Sequence, residues 1–114
     1  MANNTFVNLT LSLNCSSPLG TSSITVNTNY CPGTYEVAVS IGADAVSLNC
    51  EKTILQTNQI PLTISNRQNV MINDCIVDPT MAGIYGVYVT DNSKNITFNR
   101  LKFIGNSYKS YYIG

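Results

Sequence analysis

A strand-like unit returns about every 25 residues along this chain, a period in the range of stacked repeats, and it does so in two interleaved series. One series is Val37-Ala38-Val39, Leu62-Thr63-Ile64, Val87-Tyr88-Val89 and Tyr111-Tyr112-Ile113. The other is Val46-Ser47-Leu48-Asn49, Val70-Met71-Ile72-Asn73 and Ile96-Thr97-Phe98-Asn99. Every unit alternates apolar with small or polar residues, the period-two pattern of a strand with one buried face. Two strand series that share one period imply a solenoid, in which each turn of chain stacks on the last.

A third strand completes each turn. Leu101 and Phe103 point inward after the bend at Asn99-Arg100, as do Cys75 and Val77 after Asn73-Asp74. Ile54 or Leu55 takes that place in the first turn, with one extra residue near Glu51-Lys52. Asn49, Asn73 and Asn99 are expected to stack at one bend, where amides bond along the axis and Asn tolerates left-handed backbone. Apolar spacing of the i, i+3, i+4 kind fails throughout, so the expected class is all-β. The expected architecture is a short right-handed parallel β-helix of three to four turns, residues 35–114, led by a strand and cap segment over 1–34. Within that leader Val7, Leu9, Leu11 and Leu13 alternate with polar residues as a strand of their own. Ser16-Ser17-Pro18-Leu19-Gly20 and Tyr30-Cys31-Pro32-Gly33-Thr34 read as turns, and Ile24-Thr25-Val26 begins a short strand.

Four cysteines allow three pairings. Cys50 and Cys75 follow equivalent strands, and stacked turns lie about 4.8 Å apart, within the Cα separation that a disulfide accepts. That favours Cys50–Cys75, with Cys15–Cys31 closing the N-terminal segment. The alternative is a pair of reduced thiols stacked in the core. Asn3, Asn8, Asn14 and Asn95 begin N-x-S/T triplets and are possible glycosylation sites. Met1 is followed by neither a charged stretch nor an apolar one, so no signal peptide is read here. Paired cysteines then suggest an extracellular or cell-surface protein whose signal has been removed, or a virion protein that needs none.

Asp44-Ala45-Val46-Ser47-Leu48-Asn49-Cys50, Asn69-Val70-Met71-Ile72-Asn73-Asp74-Cys75-Ile76 and Asn95-Ile96-Thr97-Phe98 resemble the repeat of right-handed parallel β-helix proteins with the pectate-lyase-like fold. The lead-in Cys31-Pro32-Gly33-Thr34-Tyr35 is similar to that of secreted archaeal and bacterial members. The resemblance spans about residues 31–114. It implies the fold, and little about function, because the same repeat serves enzymes, adhesins and fibres.

Catalysis finds few footholds. The chain has no His, and its only carboxylates are Glu36, Asp44, Glu51, Asp74, Asp78 and Asp91, no two adjacent. Asp74 and Asp78 bracket a bend, but glycoside chemistry needs a defined carboxylate pair facing a cleft. Arg100-Leu101-Lys102 echoes a basic triplet of some pectin-cleaving relatives and is expected to be ordinary strand surface. Asp78-Pro79-Thr80 and Asp91-Asn92-Ser93 are loop starts rather than calcium loops. No enzyme activity, cofactor or metal site is expected. With 11% charged residues and zero net charge, there is no basic stripe for nucleic acid. Nor is there an apolar run long enough to span a bilayer.

Two features point outward. Tyr108, Tyr111, Tyr112 and Ile113 form an apolar C-terminal edge with Lys109 as its only charge, and Phe6, Val7, Leu9, Leu11 and Leu13 form an amphipathic strand without a place in the repeat. A sheet lacking a strand and a strand lacking a sheet suit head-to-tail addition between copies, which gives open filaments. Self-capping by the N-terminal strand is the alternative, and burial of the tyrosines by further turns of a longer β-helix is another. Tyrosine clusters also stack on sugars, so an adhesin or other carbohydrate-binding surface module stands as the alternative function.

Overall fold

Twelve short strands climb one axis in the computed structural model, which describes residues 14–81, 83–105 and 111–114. In chain order they are β1 (Gly20–Ile24), β2 (Thr28–Asn29), β3 (Thr34–Ile41), β4 (Ser47–Asn49), β5 (Ile54–Thr57) and β6 (Leu62–Ser65), then β7 (Gln68–Asn73), β8 (Ile76–Pro79), β9 (Val87–Thr90), β10 (Lys94–Asn99), β11 (Lys102–Phe103) and β12 (Tyr111–Ile113). All pairings between them are parallel, and no helix occurs among the described residues. The protein is an all-β parallel solenoid of about three turns, preceded by a shorter one.

Three faces surround the core. The first stacks β1, residues 37–41 of β3, β6, β9 and β12. A second stacks β2, β4, β7 and β10. The third stacks residues 34–36 of β3, then β5, β8 and β11. β3 thus closes one turn and opens the next without a break.

Inward side chains form columns along the axis. Ser22, Val39, Leu62, Val87 and Tyr111 make one; Leu48, Ile72 and Phe98 make another; Leu55, Val77 and Phe103 a third. In the middle of the stack these positions are sealed: Leu48, Leu55, Leu62, Ile64 and Ile72 are fully buried. Burying a side chain of this size stabilises by roughly 1.5–3 kcal/mol. Period-two alternation follows directly, since the outward neighbours Ser47, Gln56 and Thr63 remain half-exposed.

The register corrects the sequence in four places. Leu62 pairs with Val39 and not with Val37, so the first step on that face is shorter than the repeat suggests. Slipping a strand by two positions keeps the same side chains inward, so alternation cannot detect the difference. After Asn49 the chain inserts a pair of extra residues before Leu55 meets Val77, where the sequence suggests a single one. Glu51 and Lys52 accommodate them with φ of 53° and 67°. Further upstream the short strand is β1, ending at Ile24, and Val26 is exposed. Residues 20–36, most of which fall in the segment read as strand and cap, form a short turn of the solenoid. It stacks Gly20 on Val37, Thr28 on Leu48 and Thr34 on Ile54.

Left-handed residues make the corners. Ala45, Asn69 and Asn95 share one position in successive turns with φ of 57°, 60° and 54°, and Asp74 and Arg100 share another at 56° and 55°. In the full turns it is the residue after Asn73 and after Asn99 that takes the left-handed conformation, rather than the Asn itself. The column forms as expected: Asn49, Asn73 and Asn99 are in register, and Asn99 Nδ2 donates to Asn73 Oδ1 at 2.7 Å. A second rung joins Asn95 Nδ2 to Asn69 Oδ1 at 3.0 Å. Such amide ladders satisfy polar groups that stacking takes from water.

Both favoured disulfides are present, each with Cα atoms 4.8 Å apart. Cys50–Cys75 lies inside the core and ties two full turns together. Cys15–Cys31 fastens residues 15–16 to the short turn, where Ser16 bridges Tyr30 in parallel.

Candidate functional site

The columns that seal the middle of the solenoid end unsealed at its C-terminal layer. Tyr111 lies in register with Val87 and Ile113 with Val89, both buried, yet Tyr111 and Ile113 are 61% and 62% exposed. Orientation is the same; what differs is the absence, among the described residues, of a layer above them. Together with Val87, Phe98, Leu101 and Phe103 they line an apolar cavity of 260 Å³. The Phe103 and Tyr111 rings are 6.3 Å apart across it. Lys94, Arg100 and Lys102 are exposed around this end.

Tyr112 belongs elsewhere. Alternation turns it outward, in register with Tyr88 and not with the core. Tyr88 and Tyr112 stack with centroids 4.9 Å apart and planes 19° apart, and Tyr85 sits 5.6 Å from both. Further along the same face a groove of 520 Å³ lies over Thr21, Ala38, Ser40 and Thr63, walled by Ile60 and Ile84. The expected assembly residues therefore divide between two surfaces: Tyr111 and Ile113 at the axial end, Tyr112 on the flank. Phe6, Val7, Leu9, Leu11, Leu13 and Tyr108 lie outside the described residues, as do the sequons at Asn3 and Asn8.

The N-terminal end is built differently. Tyr30 is buried across the short turn, and burial pushes its phenol above the ordinary range against the opposing hydrogen bond with Ser22 Oγ. Pro18 is buried, and Ser17 Oγ meets Tyr35 Oη at 3.3 Å. Beside the disulfide, Asn49 Oδ1 is buried without a partner among the described residues.

The carboxylates have separate duties. Asp74 is held by the Arg100 guanidinium through bonds of 2.5 and 3.1 Å, and that cation keeps its carboxyl below the usual range. Asp78 accepts from Gln56 Nε2 at 2.8 Å, Asp91 from Ser65 Oγ at 2.7 Å, and Asp44 from the Gln68 backbone N–H at 3.0 Å. Arg100, at the left-handed corner rather than on a strand, and Lys102 of β11 are exposed either side of half-buried Leu101. No group of three or more metal-ligating side chains occurs among the described residues. Two sequons can be placed: Asn14 is exposed, and Asn95 is exposed with its amide engaged by Asn69.

Fold and surface define a class, a disulfide-stapled parallel β-solenoid with an apolar axial end and an aromatic flank. No family model matches the chain, and no curated protein or solved structure matches it either. The class is therefore carried by the strand register and the two disulfides.

Proposed function

We propose that this chain is a non-catalytic structural subunit that works outside the cell, adding to copies of itself along the solenoid axis to build a surface filament or fibre. The observation that carries this reading is the exposure of Tyr111 and Ile113 at positions whose partners in the layer below are buried. An apolar layer bordered by strand edges unpaired among the described residues favours strand addition. The sequence also supplies a candidate occupant, the amphipathic stretch Phe6 to Leu13. Two disulfides fit an oxidising compartment, and the resemblance to secreted microbial β-helix repeats points the same way. A fibre on a virion is the alternative setting for the same assembly. No helix is long and apolar enough to cross a membrane among the described residues.

Negative-stain microscopy and sedimentation of the full, unreduced chain test the proposal, alongside Ile113→Asp. Uniform filaments that disappear in the variant are expected. Wild-type chain that stays at the 12.4 kDa monomer mass at every concentration would overturn it.

A second reading rests on the flank. The Tyr85, Tyr88 and Tyr112 cluster offers aromatic faces that stack on sugar rings, on the same face as a largely apolar groove edged by Ser40, Asn58, Gln59 and Thr63, so an adhesin-like module for a neutral saccharide is the alternative. Glycan-array binding lost in Tyr112→Ala but retained in Ile113→Asp would select it.

A further inference from the structure

In a solenoid, order along the sequence is order along the axis, and the charges of this chain are not evenly placed along it. The short turn, residues 20–36, carries Glu36 alone. The next, residues 37–61, carries Asp44, Glu51 and Lys52, and residues 62–81 carry Arg67, Asp74 and Asp78. Each of these three layers is therefore net negative by one. Residues 87–105 carry Asp91 against Lys94, Arg100 and Lys102, a net excess of two positive charges. Arg100 is paired with Asp74 of the layer below, in the one ion pair among the described residues, which leaves Lys94 and Lys102 as exposed cations beside the apolar end.

From this distribution we infer that the partner of the C-terminal layer is a second copy of this chain, docked in one polarity only: its acidic N-terminal layers against the basic rim formed by Lys94 and Lys102. The inference rests on the assembly reading above and adds the charged groups that fix its direction.

Magnitudes decide that the asymmetry is felt. Glu36 on β3 and Lys102 on β11 are three steps apart on the third face, through β5 and β8. At about 4.8 Å per step that is roughly 14 Å along the axis. Screening at physiological ionic strength acts over about 8 Å. An approaching copy thus meets the sign of the nearer end, although the whole chain has zero net charge. The apolar layer alone would not choose a direction, because two such layers can also bury each other as a closed pair. Tail against tail brings the Lys94 and Lys102 rims together, and like charges set against each other are a common device for suppressing the wrong partner. Head against tail brings opposite signs together and leaves a fresh basic end for the next copy.

The test compares the full wild-type chain with Lys94→Glu/Lys102→Glu, and with that variant carrying Glu36→Lys/Glu51→Lys as well. All four positions are exposed, so each variant is expected to fold, which melting by circular dichroism checks. Sedimentation at rising salt should show wild-type polymer weakening, with the critical concentration rising about tenfold between low and high ionic strength. The double variant should need at least tenfold more protein to polymerise at low salt, and restoring complementarity in the quadruple variant should recover assembly. Polymer indifferent to salt, or a double variant that assembles like wild type, would overturn the polarity while leaving axial assembly standing, whereas a wild-type chain that forms closed dimers would overturn the polarity and the filament together. Monomer under every condition would remove both.

Discussion

The two ends of the solenoid carry the same kind of strand and close in opposite ways. At the N-terminal end the turn shortens, buried Tyr30 fills it, Pro18 is buried nearby and Cys15–Cys31 ties the leading residues down. At the C-terminal end the turns are at full width, Phe98, Leu101 and Phe103 are only half-buried, and Tyr111 and Ile113 are exposed. Apolar and aromatic content does not separate the ends, since both carry buried or exposed tyrosines and aliphatic side chains. Coverage does. A side chain in a stacked column is buried by its neighbours above and below, so the same alternation yields core in the middle and exposed side chains at the last described layer.

The sharpest way to break this comparison is to truncate one column at two heights. Ile64→Ala, in the sealed middle, is expected to cost about 2–5 kcal/mol, whereas Ile113→Ala on the same column should cost the monomer about 0.5 kcal/mol or less. Urea unfolding measured where the chain is monomeric separates the two. Equal losses would mean that Ile113 is covered in solution.

Next in size are the two staples. Replacing Cys50 and Cys75 with Ala removes a crosslink across a sequence separation of 25, worth roughly 3 kcal/mol, and should lower protection from hydrogen exchange in the turns on both sides. Replacing Cys15 and Cys31 removes a crosslink of similar entropic worth, across a separation of 16, but loss of protection should be confined to the short turn. Uniform loss in the second variant would show that the N-terminal seal supports the whole stack.

A smaller effect is expected from Asn73→Ala, which takes away the acceptor of the Asn99 amide and should destabilise by about 1 kcal/mol. Asn49→Ala, whose Oδ1 has no partner among the described residues, should cost less, and thermal melts of the pair report the difference. Smallest is the acid end of the pH profile. The Asp74 pKa is lowered by Arg100, so its stabilisation is present above the ordinary carboxylate range and is lost as pH falls through the lowered value. Arg100→Gln should flatten that limb, and added salt should do the same, because the pair lies at the surface. An unchanged acid limb would place the acid sensitivity elsewhere.

Much of this architecture was legible in the residues, and the misreadings share a cause. Alternation identifies which residues point inward, so the column through Leu48, Ile72 and Phe98 follows from sequence alone. It is silent on slips of two, and so Val39, not Val37, lies beneath Leu62. The short turn escaped because its partners, Gly20 with Val37 and Thr28 with Leu48, stand closer in sequence than those of the later turns. Its inward positions also include Gly20 and Ser22 in place of branched apolar residues. At the candidate site, alternation alone separates Tyr112 from Tyr111 and Ile113. Composition alone does not show the flank, where Tyr85 and Tyr88 complete the cluster with Tyr112. What sequence could not supply was the coverage of each layer, which depends on the chain above it rather than on the strand itself.

The two disulfides also determine how the chain would behave under load. A pull on its ends would peel turns one at a time, and each turn released lengthens the chain by about 3.3–3.6 Å per residue. Cys50–Cys75 withholds the residues between its sulfurs from that extension, roughly 80–90 Å of hidden length, and Cys15–Cys31 withholds roughly 50–60 Å more. An oxidised subunit would therefore stop lengthening well before its contour is spent, and reduction would convert a stiff element into a slack one.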